Sequence, residues 1–237
     1  MTVHFGSTSI GVVSESSAVR GAIVRRLGEI VDDRYAREGI LLGRPSSRAS
    51  GRPLWVLYES GDIVLRRTPD ENAAIDAALF HLQALSDATR STHPTLRLRT
   101  ILTPDGEALL VDPPAIHELP GYDRRLTARG YIVLPTTIAT VNLRDRTVLL
   151  PGNSVGRGDQ SSSARIRKIV LRQRDDSATP QVVALLGVVR SVLRRSGDDL
   201  EQLLDDALEI GSWSDILRVS HSEQIRQEIA ALGRQES

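Results

Sequence analysis

Residues 107–142 read EALLVDPPAIHELPGYDRRLTARGYIVLPTTIATVN, and their pattern is the most informative of the chain about its architecture. It predicts four elements in a row: a strand at 107–111, a loop at 112–118, a helix at 118–129 that ends at Gly130, and a strand at 131–134. A nucleotide-binding fold places its phosphate-binding backbone in such a loop, between a strand end and a helix start.

The loop Asp-Pro-Pro-Ala-Ile-His-Glu lacks the residues that bind phosphate. A phosphate loop points successive backbone N–H groups at the phosphate oxygens, glycine allows close approach, and lysine supplies charge. Pro113 and Pro114 have no N–H to donate. Asp112 and Glu118 place negative charge where phosphates would lie. The stretch therefore predicts the framework of a nucleotide-binding kinase without its chemistry.

Composition narrows the class of protein. The 237 residues suffice for one α/β domain or two small ones. Lys plus Arg and Asp plus Glu each number 30, so no global field attracts nucleic acid or an anionic membrane. The absence of cysteine excludes disulfides, thiolate metal sites and cysteine nucleophiles. Because we find neither a signal peptide nor a run of about 18 apolar residues, we expect a soluble, cytoplasmic protein with no membrane or nucleic-acid partner.

The rest of the chain predicts a mixed α/β protein. Before the central stretch we expect strands at 3–5 and 10–13, then a helix capped by Ser16 or Ser17 with apolar residues at helical spacing as far as Val31. A mobile connection at 43–53, a hairpin of 54–58 with 63–67 and a helix from Pro69 to about Ala88 follow. A second hairpin pairs 96–103 with 107–111 around Pro104-Asp105-Gly106. After the central stretch come strands at 138–142 and 147–150, a flexible segment at 151–163, a strand at 165–173 covered on both sides, helices at 180–193 and 198–210, a strand at 213–219 and a helix at 222–232.

From about residue 96 to residue 232, this order of elements resembles the HPr kinase-like family, small kinases with the phosphoenolpyruvate-carboxykinase type of nucleotide fold. The similar segments are the hairpin LRLRTILTPDGEALLV, the helix end LTARGY, the strands IATVNLRDRTVLLPG and the helix at 225–232. The resemblance implies an HPr kinase-like mixed sheet flanked by helices over residues 93–237. Residues 1–92 then form an N-terminal α/β extension of helix, hairpin and helix.

Three chemical motifs of that family are missing. In place of G-x-x-x-x-G-K-[ST] after the second hairpin strand, the chain has the loop at 112–118. In place of a histidine near the start of the hairpin strand it has Arg99. In place of Ser-Asp-Asp or Thr-Asp-Glu, which hold the metal and supply the catalytic base, it has Pro135, Thr136 and Thr137. Because Mg²⁺ would lack its usual oxygen ligands, we expect no catalytic, cofactor-binding or metal-binding residues and no cofactor.

Two other groups of residues could suggest a site. The glycine-containing loop at 152–158 has an arginine, but a predicted strand follows it instead of a helix, so we interpret it as a solvated loop. His117 and Glu118, with Asp112 and Asp123, could suggest a metal or acid–base site. We interpret His117 as a loop residue and Glu118 as a residue that favours the first turn of its helix.

Kinase-like proteins of this family occur in bacterial gene clusters that make ribosomally synthesised, post-translationally modified peptides (RiPPs). A degenerate member resembles the accessory or precursor-recognition proteins of such clusters, including daptide-type ones. We therefore expect a non-catalytic accessory protein that recognises the precursor peptide or binds a modifying enzyme, and homo-oligomers are compatible with either role. A peptide can dock by adding a strand to a sheet edge or by laying a helix in a groove, for which we favour the region around the hairpin 54–67.

Two alternatives stay open. One is a divergent ATP-dependent kinase of the same family that acts on a peptide. The other is a subunit that stabilises a modifying enzyme without binding the peptide.

Overall fold

The structure, a computed structural model, describes residues 2–5, 8–14, 16–27, 31–32, 38–43, 54–59, 63–113, 122–151, 163–172, 200–213, 216–219 and 227. These residues form fourteen strands and four helices, and the predicted mixed α/β class is confirmed. The chain divides into two compact units, Met1–Arg90 and Ser91–Ser237. This division falls close to the predicted boundary between residues 92 and 93.

The N-terminal unit contains one six-stranded sheet and two helices. Its elements are β1 (Thr2–Phe5), β2 (Thr8–Ser14), α1 (Ser17–Leu27), β3 (Val31–Asp32), β4 (Glu38–Gly43), β5 (Trp55–Glu59), β6 (Ile63–Thr68) and α2 (Glu71–Arg90). The strand order is β3-β1-β2-β4-β5-β6. Only the β2–β4 pair is parallel among the described pairs of this sheet, and α1 lies in the long connection that a parallel pair requires.

Both helices begin at side chains that accept backbone hydrogen bonds. The Ser16 hydroxyl accepts from the Val19 N–H at 3.3 Å, which confirms the predicted cap of α1. The Asp70 carboxylate accepts from the Asn72 N–H at 2.9 Å and starts α2. Both helices pack on the sheet, where α1 contacts β2, and α2 contacts β4, β5 and β6. The core between the helices and the sheet is formed by buried apolar side chains, among them Val12, Val19, Ile23, Ile40, Leu42, Leu57, Leu65, Ala78 and Leu82.

One prediction for this unit was wrong, and one strand was overlooked. Val31 does not continue the helical pattern, because it lies in β3 opposite Val3 of β1. Strand β4 was not predicted. It is a short apolar run between glycines, and its place in the sheet depends on β2 and β5, which are distant in the chain. Gly43 is the last residue of β4, and residues 44–53 of the predicted connection lie outside the described residues.

Among its described residues, the second unit contains eight strands and two helices. Its elements are β7 (Thr95–Arg97), β8 (Arg99–Leu102), β9 (Ala108–Val111), α3 (Tyr122–Thr127), β10 (Ile132–Val133), β11 (Ile138–Asn142), β12 (Thr147–Leu149), β13 (Ser163–Arg172), α4 (Leu200–Gly211) and β14 (Ile216–Val219). All eight strands belong to one sheet. Its hydrogen-bonded order is β10-β8-β9-β13-β12-β11-β7, and β14 pairs with β13 beside this path. Strand β13 runs parallel to β9 and to β14.

The sheet of this unit closes on itself at Leu98. The structure splits the predicted single strand 96–103 there, so that β7 pairs with β11 while β8 pairs with β9 and β10. Since only Leu98 separates β7 from β8 in the chain, the order from β8 to β7 returns to its starting point. Buried side chains line this ring, among them Leu96, Leu98, Ile101, Leu109, Val141, Val148 and Ile169.

The burial pattern of side chains differs between the two halves of β13. In its first half Ala164 and Ile166 are buried while Arg165 is exposed. In its second half Val170 and Leu171 are both buried, so two-sided coverage is confirmed there. The register shifts between these halves, next to Arg167.

Two glycines end elements as the sequence predicts. At the β8–β9 hairpin the Gly106 N–H donates to the Thr103 carbonyl at 3.0 Å, and the Thr103 N–H donates to the Glu107 carbonyl at 2.8 Å. After α3, the Tyr131 N–H donates to the Leu126 carbonyl at 3.1 Å and the Gly130 N–H to the Thr127 carbonyl at 3.0 Å, which is a Schellman motif. Both glycines have positive φ, 89° at Gly106 and 83° at Gly130.

Arg146 joins a tight turn to the end of α4. It has a φ of 51°, uncommon for a residue with a side chain, in the turn between β11 and β12. Its guanidinium carbon lies 5.3 Å from the ring centroid of Trp213, which is buried just after α4. This is a cation–π contact, and it holds the two elements together.

Several predicted elements lie outside the described residues. These are the helix at 180–193, most of the flexible segment at 151–163, and the helix at 222–232 apart from residue 227. Of the helix predicted at 118–129, residues 122–127 form α3, and 118–121 lie outside the described residues. Of the helix predicted at 198–210, residues 200–210 lie in α4, and 198–199 lie outside them. Within the described ranges, none of the helices has the length and apolar character needed to cross a membrane.

Candidate functional site

Five positions of the predicted site converge around the start of β8. On one side Arg99 lies opposite Val111, and Asp112 and Pro113 follow directly. On the other side the Thr100 carbonyl accepts from the Leu134 N–H at 3.0 Å, and Arg97 lies opposite Ile138. The segment that contains Thr136 and Thr137 is therefore held beside β8 at one end and beside β7 at the other. We call Arg99, Asp112, Pro113, Thr136 and Thr137 the β8 cluster.

The threonines of the β8 cluster are closed to solvent. Thr136 and Thr137 are both 0% exposed. The Thr136 hydroxyl accepts from the Ile138 N–H at 3.1 Å, a local turn that starts β11. The hydroxyl at this position therefore serves the backbone of its own chain.

Arg99 is also buried, with 2% of its surface exposed. Burying a guanidinium is costly unless hydrogen bonds and opposite charge compensate for lost hydration. Asp112 is the acidic member of the cluster, and its N–H donates to the Val170 carbonyl at 2.9 Å, which fixes the end of β9 against β13. Pro113 is buried and Asp112 half-buried. These positions form a packed junction of strands.

Of the loop predicted at 112–118, the structure describes only residues 112 and 113. Pro114, His117 and Glu118 lie outside the described residues, and their assignment as a degenerate phosphate loop stays a prediction. Across the described ranges, no three His, Cys, Asp or Glu side chains come together in a way that could hold a metal ion.

A second feature, which sequence reasoning missed, lies on the N-terminal sheet. Four apolar side chains are in register across four neighbouring strands: Val13 of β2, Leu41 of β4, Tyr58 of β5 and Val64 of β6. Val13 is 58% exposed and Leu41 43%, while Tyr58 and Val64 are half-buried. We call these four residues the open-face row.

The open-face row lies on the sheet face opposite the helices. Successive side chains of a strand point to opposite faces. Val12 and Leu42, the chain neighbours of Val13 and Leu41, are both 0% exposed, as expected on the face covered by α1 and α2. The sequence signal that could have predicted this row is the unbroken apolar runs in β2 and β4, which place apolar side chains on both faces of the sheet.

One cation accompanies this row. Arg67 is exposed and lies opposite Val56, which is two residues from Tyr58 and so on the same face. Val56 is itself buried, so the accessible apolar surface is centred on Val13 and Leu41. The face therefore offers an apolar strip with one basic side chain near its β6 end.

Comparisons with protein-family models, with curated proteins and with solved structures give no match.

Proposed function

We propose that this chain is a non-catalytic peptide-recognition protein of a bacterial RiPP pathway, and that the precursor peptide docks on the open-face row. The observation that carries the proposal is the exposure of Val13 and Leu41 in a continuous apolar row across four strands. Contiguous exposed apolar surface of this kind marks a docking site. The peptide is a ribosomal product, so the proposed place of action is the cytoplasm.

The β8 cluster supports the non-catalytic part of the proposal. A kinase of the HPr kinase-like family needs acidic residues where this chain has Thr136 and Thr137, and here both side chains are buried. Pro113 has no N–H to donate to a phosphate. In this proposal residues 93–237 keep an HPr kinase-like framework, and binding rather than phosphoryl transfer is the function.

The proposed mode of binding is an amphipathic peptide helix laid across the sheet face. Its apolar stripe covers Val13, Leu41 and the exposed part of Tyr58, which removes apolar surface from water. An acidic residue of the peptide pairs with Arg67, whose exposed position leaves its guanidinium accessible. In this mode the open-face row provides most of the affinity for the peptide, and the ion pair with Arg67 fixes the orientation of the bound helix.

Isothermal titration tests the proposal with the leader peptide of a precursor gene next to the gene for this chain. We expect saturable binding to the full chain. Leu41→Asp and Val13→Asp are expected to weaken it by at least about tenfold, because each places a charge where an apolar contact forms. Ile132→Asp, at an exposed isoleucine of the other unit, is the matched control and should leave the affinity unchanged.

Three results would contradict the proposal. Absence of heat at high micromolar peptide removes peptide recognition, and unchanged binding by Leu41→Asp removes the open-face row as its site. A thermal shift with Mg-ATP together with ATP-dependent phosphate transfer to the peptide would establish the divergent kinase instead. Co-purification of a modifying enzyme in the absence of precursor, with no peptide binding, would establish a stabilising subunit.

A further inference from the structure

Helix α4 has a buried side and an exposed apolar side. Ala207 is 1% and Ile210 0% exposed, so their side of the helix is buried. Leu204 and Leu208 are 46% and 53% exposed. Being four residues apart, these two leucines lie one above the other on the helix surface.

An acidic stripe runs directly beside these leucines. Asp205 and Glu209 follow Leu204 and Leu208 by one residue, or about 100° around the helix axis, and both are exposed. Glu201, four residues before Asp205, continues the same stripe. The helix sequence LEQLLDDALEIG contains four acidic residues and no basic one.

We propose that this leucine–acid face of α4, formed by Leu204, Leu208, Asp205 and Glu209, binds a basic amphipathic helix of a partner protein. Apolar side chains of the partner helix, spaced by three or four residues, cover Leu204 and Leu208. Lysine or arginine side chains on the flank of that stripe reach Asp205 and Glu209. The partner is thus selected twice, by its apolar spacing and by its charge.

The negative charge of this face also argues against two other binding partners, a second copy of the chain and an anionic membrane. In a symmetric contact between two copies, Asp205 and Glu209 of both chains would face one another, and such like charges repel. An anionic membrane surface would repel the same acidic stripe.

This inference does not rest on the proposed peptide function. It concerns a different unit, and its ligand is basic, whereas the peptide proposed for the open-face row pairs an acidic residue with Arg67.

The probe is a fluorescent synthetic peptide of about 18 residues, long enough to form a helix, with leucine at helical spacing and lysine on the flanks. Fluorescence anisotropy with the full chain measures its affinity. A second peptide has the same leucines with glutamate in place of lysine. We expect the basic peptide to bind at least about tenfold more tightly than the acidic one, and the preference to shrink as salt is raised.

Variants locate the site. The double variant Leu204→Ser, Leu208→Ser should lose about tenfold or more in affinity for the basic peptide. Asp205→Asn with Glu209→Gln should weaken binding by a few-fold and flatten its salt dependence. Ile132→Ser, at a side chain 40% exposed elsewhere in the same unit, is the control and should bind as the unaltered chain does. Circular dichroism verifies that each variant is folded.

Four outcomes would overturn the inference: no binding of the basic peptide, equal binding of both peptides, affinity unchanged in the serine variant, or loss of affinity in Ile132→Ser as great as in that variant. If the unaltered chain is a dimer that Leu204→Ser, Leu208→Ser dissociates, the face belongs to a second copy and the proposal is wrong. Loss of leader-peptide binding in Leu41→Asp with basic-helix binding retained would show that the two surfaces act separately.

Discussion

At Gly130 the backbone adopts a φ of 83°, a conformation that a side chain makes unfavourable. This residue lets the chain turn from α3 into β10 with both Schellman hydrogen bonds made. Gly106 does the same for the β8–β9 hairpin. At this scale single residues determine where elements end, and their contributions can be measured one at a time.

We predict that Gly130→Ala lowers the free energy of unfolding by about 1–2 kcal/mol, because alanine is strained at positive φ. A Cβ at this position would lie 3.5 Å from the Pro104 Cγ, an ordinary contact, so strain is the main term. Urea denaturation gives the value. Gly106→Ala, with a φ of 89° and no atom within 4 Å of the added Cβ, should cost a similar amount.

Gly21→Ala is the matched control for that substitution. Gly21 lies inside α1, where only the flexible tip of Arg25 is near an added Cβ, at 3.3 Å. Alanine favours helix, so this change should raise the free energy of unfolding by about 0.5–1 kcal/mol. Equal effects of Gly130→Ala and Gly21→Ala would refute the role of positive φ.

Through Asp105, the stability of the β8–β9 hairpin depends on pH. A hydrogen bond from the Thr103 hydroxyl holds the pKa of Asp105 below its ordinary value of 3.8, and backbone N–H groups and Arg167 act in the same direction, against the effect of burial. Arg167 lies 3.5 Å from Asp105 and 3.6 Å from Glu107. Because the pKa is lower in the folded state, the stabilisation is complete above 3.8 and is lost as pH falls through the folded pKa.

We predict that Asp105→Asn lowers the free energy of unfolding by at most about 0.5 kcal/mol at neutral pH, since the carboxylate is 42% exposed and solvent screens it. At a pH well below 3.8 the variant and the unaltered chain should be equally stable. Urea denaturation at both pH values provides the measurement. A difference that grows as pH falls would contradict the sign of the pKa shift.

At the scale of elements, alternation along a strand determines which side chains are structural. In β4, Leu42 is 0% exposed on the helix-covered face, while Leu41 is 43% exposed on the open face. The sequence Ile-Leu-Leu contains no information that distinguishes these neighbours, because both are equally apolar. The placement of α2 against β4 makes one a core residue and the other a surface residue.

We predict that Leu42→Ala lowers the free energy of unfolding by about 2–5 kcal/mol, because it leaves a cavity in the core. Leu41→Ala, the same change one residue earlier, should cost about 0.5 kcal/mol or less. Thermal or urea unfolding of the two variants gives the comparison. Equal losses would mean that the open face is covered in solution, which would also remove the proposed docking site.

Predictions at this scale succeeded where local signals sufficed. The Pro-Asp-Gly turn, the Ser16 cap and the glycine after α3 were predicted because each depends on residues a few positions apart. The two-residue strand β3 and the strand β4 were not, since pairing with β1, β2 and β5 decides them.

At the scale of the whole molecule, each compact unit has its own sheet. The N-terminal unit has a layer of two helices on a six-stranded sheet, and the second unit has a sheet that closes at Leu98. A change in one core should therefore act first on its own unit.

We predict that Leu42→Ala speeds amide hydrogen exchange in residues 1–90 and leaves the slowest amides of residues 91–237 unchanged. The physical reason is that the lost contacts belong to the N-terminal core alone. Exchange followed by mass spectrometry of peptic fragments measures both units in one sample, and Val141→Ala, in the core of the second unit, should give the reverse pattern. Equal acceleration in both units would show that they open as one.

The mixed α/β class, most strands of the second unit and the turns at Gly106 and Gly130 could all be predicted from the sequence. All of these follow from residue chemistry and short-range spacing. The packing of the folded chain was needed to show that β7 and β8 pair with different strands on either side of Leu98. It also showed that Arg99, Thr136 and Thr137 are buried and that Val13 and Leu41 are exposed. Those outcomes depend on contacts between segments far apart in the chain, because burial belongs to the packed molecule and cannot be read from one residue and its neighbours.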